Sequence, residues 1–339
     1  WLDNLAREAN GRPIDYLVVQ HMEPDHSANI RLFADTYPET VIVSSQQAFK
    51  MMQTFFGTDF ADRRIIVGEG DSLCLGAHTL SFVAAPMVHW PEVMVSFDPS
   101  DGCLYSADAF GKFGALSKCG FYGRDDDDWA CEARRYYFNI CGKYGANVGA
   151  LLKKASSLSI SISKILPLHG PILEGEKLAE ALRLYTIWSN YEIETPGVLI
   201  AYASIHGNTK ACAERMAEIL KSKGAPKVVL ADLCRDDMAE TIEDAFRMGK
   251  LILAAASYDA DVFPPMHYFL YKLSIKGFRK RTVGIIENGT WGPTAGRAMK
   301  SMLESMNDIT IVDPMVTIRS SMHQSDIPQL EALADAILA

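Results

Sequence analysis

Five apolar stretches in the second half of the chain limit its fold more than any other feature. They are "VLIAYAS" (198–204), "KVVLADL" (227–233), "KLILAAASY" (250–258), "TVGIIENG" (282–289) and "ITIVDPMVTI" (309–318). Each is nearly continuous rather than alternating, so each expects cover on both faces. Helical or loop-and-helix stretches follow the first four. In "TKACAERMAEILKSKG" the apolar residues at 213, 216, 219 and 220 make one stripe. Strands covered on both sides, with helices between them, predict an α/β fold with a doubly wound parallel sheet of five strands.

Upstream the pattern is more mixed. "DYLVVQ" (15–20), "TVIVSS" (40–45), "HTLSFVAAP" (78–86) and "SKILPLHG" (163–170) read as strands ending in loops. Residues 128–155 read as one or two helices, and the acidic run "RDDDDW" before them as a solvated loop ending in an N-cap. "YEIETPG" (191–197) reads as a linker, dividing the chain into domains 1–190 and 198–339. A length of 339 residues has room for both. A net charge of −9 argues against nucleic-acid binding, which needs a basic face. No apolar run approaches the roughly 18 residues of a membrane span. The seven cysteines (Cys74, Cys103, Cys119, Cys131, Cys141, Cys212 and Cys234) form no C-x-x-C pair. That disfavours a thiolate zinc site and fits free thiols in the cytoplasm. The sequence opens at Trp1 on a helical pattern, so it is expected to lack its natural start.

The densest chemistry lies in "VVQHMEPDHSANI" (18–30), where His21, Glu23, Asp25 and His26 occupy six positions after an apolar run. In an extended loop His21, Glu23 and Asp25 share a side, and His26 reaches over from the start of the next helix. His89 in "APMVHWPE", Asp108 in "YSADAFG" and His169 in "LPLHGP" each follow another strand-like run. A lone histidine at a strand end is commonly structural. Four ligand types in six positions, joined by three more, point to a two-metal site. Imidazoles with several carboxylates suit iron, manganese or zinc. Anionic oxygen stabilises ferric charge, which leans to iron without excluding zinc. Asp108 is the natural bridge between two cations. His78, His267 and His323 fit no position of this set and read as structural or exposed.

Three loops at the strand ends of the second half form another set. Ser204, Ile205, His206, Gly207, Asn208 and Thr209 place hydroxyls, an amide and a glycine at a helix start, which suits a phosphate. The loop matches neither G-x-x-x-x-G-K-[ST] nor G-x-G-x-x-G, so ATP and dinucleotides are disfavoured and the monophosphate of FMN fits better. Ser257, Tyr258, Asp259 and Ala260 follow the third strand; Asn288, Gly289, Thr290, Trp291 and Gly292 follow the fourth. Tyr258 and Trp291 could flank a flat ring, although Trp291 equally suits a core or an interface.

The order H-x-E-x-D-H, then H, D and H, resembles the flavodiiron protein family (A-type flavoproteins). The resemblance covers nearly the whole chain, and the spacing 21→89→108→169 agrees with it. Hydrolases of the same superfamily commonly read H-x-H-x-D-H, and Glu23 stands at their middle histidine. The resemblance implies a metallo-β-lactamase-like αββα sandwich, incomplete at its N-terminus, followed by a flavodoxin-like domain. It implies one iron on His21, Glu23 and His89, another on Asp25, His26 and His169, and Asp108 between them. It also implies FMN on the three loops and a small electron donor such as rubredoxin. The expected assembly is a head-to-tail homodimer or a dimer of such dimers. The expected activity is reduction of dioxygen to water, nitric oxide to nitrous oxide, or both. Two other readings compete: a zinc-dependent hydrolase with an appended flavodoxin domain, and a non-catalytic electron carrier. Glu23 and the flavin loops count against the first, and the complete ligand set against the second.

Overall fold

The computed structural model describes residues 1–123, 128–157 and 160–339. They form two compact units, Trp1–Ala133 with Ala146–Thr186, and Arg134–Gly145 with Ile187–Ala339.

The first unit contains two sheets. In one, β1 (Tyr16–Val18), β2 (Val41–Ser44) and β3 (Arg64–Ile66) run parallel in that order. The helix Gln46–Phe56 connects β2 to β3. Ser45 starts it by accepting from Ala48 N at 3.1 Å, and Gly57 ends it at a φ of 75° that suits glycine. Its buried residues Ala48, Phe49 and Met52 pack with Ile30 and Ile42. The second sheet holds β4 (Ser72–Cys74), β5 (Thr79–Ala84), β6 (Met94–Asp98), β7 (Cys103–Tyr105), β8 (Lys164–Leu166) and β9 (Leu173–Glu174) in sequence order. All neighbours are antiparallel except β7 and β8. A parallel pair needs a long crossover, and residues 106–163 supply it. Val43 of one sheet packs with Leu80, Phe82 and Met94 of the other, which joins the two face to face. Four of these nine strands escape the sequence reading: β3, β4, β6 and β9. They span two to five residues, too few to show a period.

The second unit holds β10 (Thr195–Ala203), β11 (Val228–Asp232), β12 (Met248–Tyr258), β13 (Asp261–Val262), β14 (Arg281–Asn288), β15 (Ile309–Ile311) and β16 (Val316–Ile318). The parallel order is β11-β10-β12-β14-β15, with β16 also on β14 and β13 folded back on β12. This is the doubly wound order, whose direction reverses between β10 and β12. The apolar stripe is used as expected: Ala213, Met216, Ile219 and Leu220 pack with Leu330, Leu333 and Ile337 of the last helix. Two expectations need correction. The stretch 309–318 is two short strands, because Pro314 offers no N–H to a ladder. Thr195–Gly197, read as linker, already belong to β10, with a register shift before Val198.

The acidic run falls largely on residues 124–127, which lie outside the described residues. Its last member, Asp128, accepts from Cys131 N at 3.1 Å, a capping bond for the helix Trp129–Ile140. No helix among the described residues is long and apolar enough to cross a membrane. Cys74, Cys103, Cys131, Cys141, Cys212 and Cys234 are free thiols.

Candidate metal centre and ligand pocket

The seven metal-type residues all follow the C-terminal ends of first-unit strands. His21 and Glu23 follow β1, and Pro24–Ser27 form a helical turn carrying Asp25 and His26. His89 lies in the turn after β5, Asp108 follows β7 and His169 follows β8. The fold brings all seven together as two groups, His21, Glu23, His89 and Asp108, and Asp25, His26 and His169.

Asp108 joins the groups through its two oxygens. Oδ2 stands 3.1 Å from His89 Nε2 and 3.4 Å from His21 Nε2. Oδ1 stands 3.0 Å from His26 Nε2 and 3.7 Å from His169 Nε2. Within the groups, Glu23 Oε2 is 3.0 Å from His89 Nε2, and Asp25 Oδ2 is 3.1 Å from His169 Nε2. Two ligand atoms at about 2.0–2.2 Å from one metal stand roughly 3.0–3.5 Å apart, so these spacings suit a shared cation. Two atoms make the test sharper. His21 Nε2 and Asp108 Oδ1 are buried and make no hydrogen bond among the described residues. Buried polar atoms are rarely left so. Imidazole and carboxylate donors without thiolate fit two hard or borderline cations, iron among them.

Electrostatics point the same way. Burial opposes a charged His21, but Asp108 and Glu92 outweigh it and push its pKa up to about 9. Burial likewise opposes ionised Asp108, yet His21, His26 and His89 hold its carboxyl far below the usual carboxylate range. The cluster is built to hold positive charge.

Glu92 supports the cluster and was not singled out from the sequence. It is buried, and its Oε1 stands 2.8 Å from His21 Nδ1 while accepting from Met22 N at 2.9 Å. With the proton on Nδ1 donated to Glu92, the Nε2 lone pair faces the cluster. Its only trace in the sequence is its place in "HWPE", three residues after His89. The backbone beside the ligands is strained. Met87, Ala107 and Phe110 take left-handed φ values of 64°, 52° and 67°. Such residues cost of order 1–3 kcal/mol and gather at functional sites.

The remaining histidines lie elsewhere. His78 precedes β5, at the other end of that strand from His89, with Nδ1 2.6 Å from Asp98 Oδ2. His267 and His323 are exposed.

In the second unit the three loops converge on a pocket of about 510 Å³. Of the fifteen residues singled out, all but Gly207 line it. Gly207 instead caps the helix Asn208–Ser222 at a φ of 92°, and its N–H donates to Ser204 Oγ at 3.1 Å. Ala256, Thr294 and Ser320 also line the pocket and were not anticipated. Asn288 ties the loops together. Its Nδ2 donates to Ser320 O at 2.8 Å and to Thr209 Oγ1 at 3.4 Å, and its Oδ1 accepts from Ser320 N at 3.1 Å. Ser257 Oγ accepts from Thr294 N and Ala295 N, so it serves the start of the helix Ala295–Glu304. Trp291 is 93% exposed and Tyr258 45% exposed, leaving two aromatic rings at the pocket free for a flat ligand.

Comparison with known proteins agrees with this architecture. A family model described as "ODP family beta lactamase" matches residues 2–170. A nitric oxide reductase of Moorella thermoacetica is 27% identical over 334 residues, 96% of this chain and 81% of the relative. The structure of rubredoxin oxygen:oxidoreductase from Desulfovibrio gigas superposes with a TM-score of 0.90 at 23% identity, covering 98% of this chain and 83% of that one. The flavodiiron protein of Giardia intestinalis gives 0.87 at 21% identity, covering 98% and 82%. The fold is that of a metallo-β-lactamase-like domain joined to a flavodoxin-like one. The chain belongs to the flavodiiron protein family, and it is an oxidoreductase.

Proposed function

We propose that this flavodiiron oxidoreductase takes electrons from a small carrier such as rubredoxin and uses them to reduce dioxygen to water, nitric oxide to nitrous oxide, or both. The observation that carries the reading is Asp108, whose two oxygens face two separate ligand groups. His21, Glu23 and His89 would hold one iron, and Asp25, His26 and His169 the other, with Asp108 shared. The second-unit pocket would hold FMN, its phosphate at Ser204–Thr209 and its ring near Tyr258 and Trp291. When bound, the iron pair and the flavin supply the electron storage and the gas-binding positions that the amino acids lack.

The chain's own residues prepare both sites. Glu92 fixes the His21 ring, and the Asp108 carboxylate offsets cationic charge in a buried setting. The start of the helix Asn208–Ser222 would offer backbone N–H groups to an anion. The names of the relatives favour both gases, one being a nitric oxide reductase and another an oxygen oxidoreductase. We further propose working domains of 1–190 and 198–339, a cytoplasmic setting, and a head-to-tail homodimer pairing the flavin of one chain with the irons of the other. Size exclusion of a fully active monomer would remove the dimer.

Metal and flavin content per chain, on protein purified without air, tests the whole reading. About two irons and one FMN per chain are expected from the donor set. Two zincs and no iron after iron-replete growth would replace it with the hydrolase.

A further inference from the structure

The first unit holds a second feature close to the metal cluster. Behind the turn that carries Asp108 lies a cavity of about 40 Å³. Its wall includes Ser106, Ala109 and Phe110, residues on either side of Asp108 in the same turn. Facing them are Val95 of β6 and, from the helix Gly145–Ser157, Leu152 and Ala155. The lining is apolar apart from Ser106, whose hydroxyl donates to Ala109 O at 2.7 Å.

Size and chemistry limit what such a space can hold. A water needs about 10–15 Å³ and two to four polar partners, so there is room for water but little to bind it. Organic-ligand pockets begin at roughly 300 Å³, which excludes a metabolite. Dry apolar cavities do take up small uncharged gases such as xenon. Dioxygen and nitric oxide are small, uncharged and poorly hydrated, as the cavity requires.

We propose that this cavity is a holding site for the diatomic gas substrate, one turn of chain away from the metal ligands. The inference rests on the gas-reductase reading. A gas partitioning from water into the cavity raises its local concentration beside Asp108. The cavity therefore acts on KM for the gas more than on kcat.

Two measurements test this on the iron- and flavin-loaded enzyme. Crystals under xenon pressure should show xenon among Ala109, Phe110, Leu152 and Ala155, and no xenon there would overturn the proposal. Ala155→Phe should fill the space, abolish the xenon peak and raise KM for the gas about tenfold, with a much smaller change in kcat. Ala155→Leu, a gentler change that keeps a good helix former, should give a smaller shift in the same direction if the larger ring impairs folding. A filled cavity with unchanged kcat/KM for both gases would also overturn it. Failure of the gas-reductase reading is seen separately, as a parent enzyme that consumes neither gas, and it would overturn the holding site as well.

Discussion

In the first unit, seven ligand-type side chains crowd together, and among the described residues His21 Nε2 and Asp108 Oδ1 have no hydrogen bond. In the second, a pocket of about 510 Å³ stands open with Trp291 93% exposed. The cluster is held by opposite charge around the buried His21 and Asp108, beside backbone in strained conformations. The pocket is held by neutral hydrogen bonds among its own loops. A charge-built site fails as a unit, because removing one member leaves the others buried and unbalanced. A loop-built pocket loses affinity in steps, one hydrogen bond at a time.

The largest effect should come from Asp108→Asn. It keeps the side-chain volume, removes the charge and leaves one group without its shared oxygen. Both metals should be lost or bound very weakly, beyond the roughly 100-fold that a supporting residue costs. Flavin absorbance should be unchanged. Metal analysis on the purified variant decides, and two tightly held metals per chain would break the contrast.

Glu92→Gln comes next. Asp108 touches the shared centre, whereas Glu92 acts through His21 Nδ1 at 2.8 Å. Its loss should weaken metal binding about 10–100-fold, as the His21 ring loses its anionic partner. Chelator competition measures this. A metal affinity within twofold of the parent would mean that Glu92 merely packs.

How much of this was legible follows the same division. H-x-E-x-D-H compresses four ligand-type residues into six positions, so composition and order alone single them out. His89, Asp108 and His169 were readable because each follows an apolar run. Glu92 was hidden: an acid beside Trp90 and Pro91 looks like any surface acid until the β5–β6 turn meets the end of β1. The long second-unit strands announced themselves, whereas β7, three residues long, showed only as the apolar run before Asp108. Ser320 was missed because it reaches the pocket only after β16 pairs with β14. Gly207 was anticipated as a contact but serves the turn, and a single sequence does not separate those roles.

Asn288→Ala should act on the pocket alone. Asn288 makes three bonds across the loops, and losing a buried bond costs about 1–2 kcal/mol. FMN affinity, read by fluorescence quenching, should fall roughly tenfold. Metal content should not change. A loss of iron in this variant would show that the two sites do not fail separately.

The smallest effect concerns how the two units keep buried charge. The cluster pairs its charges, but Lys276 in the second unit is buried with its Nζ donating to a carbonyl, Asn139 O, at 3.0 Å. Burial, helped by the Lys272 charge, pushes its pKa down to about 8. An unfolded lysine titrates near 10.4, so between about pH 8 and 10.4 the unfolded chain binds more protons and stability rises with pH. Below pH 8 the folded state carries the full cost of the charge. Lys276→Met removes that cost and also the bond to Asn139 O. At pH 7 the variant should be more stable by about 1–2 kcal/mol, and by pH 10 the advantage should shrink or reverse. Urea melts at the two pH values measure the difference. An equal change at both would mean that the Lys276 ammonium is well solvated.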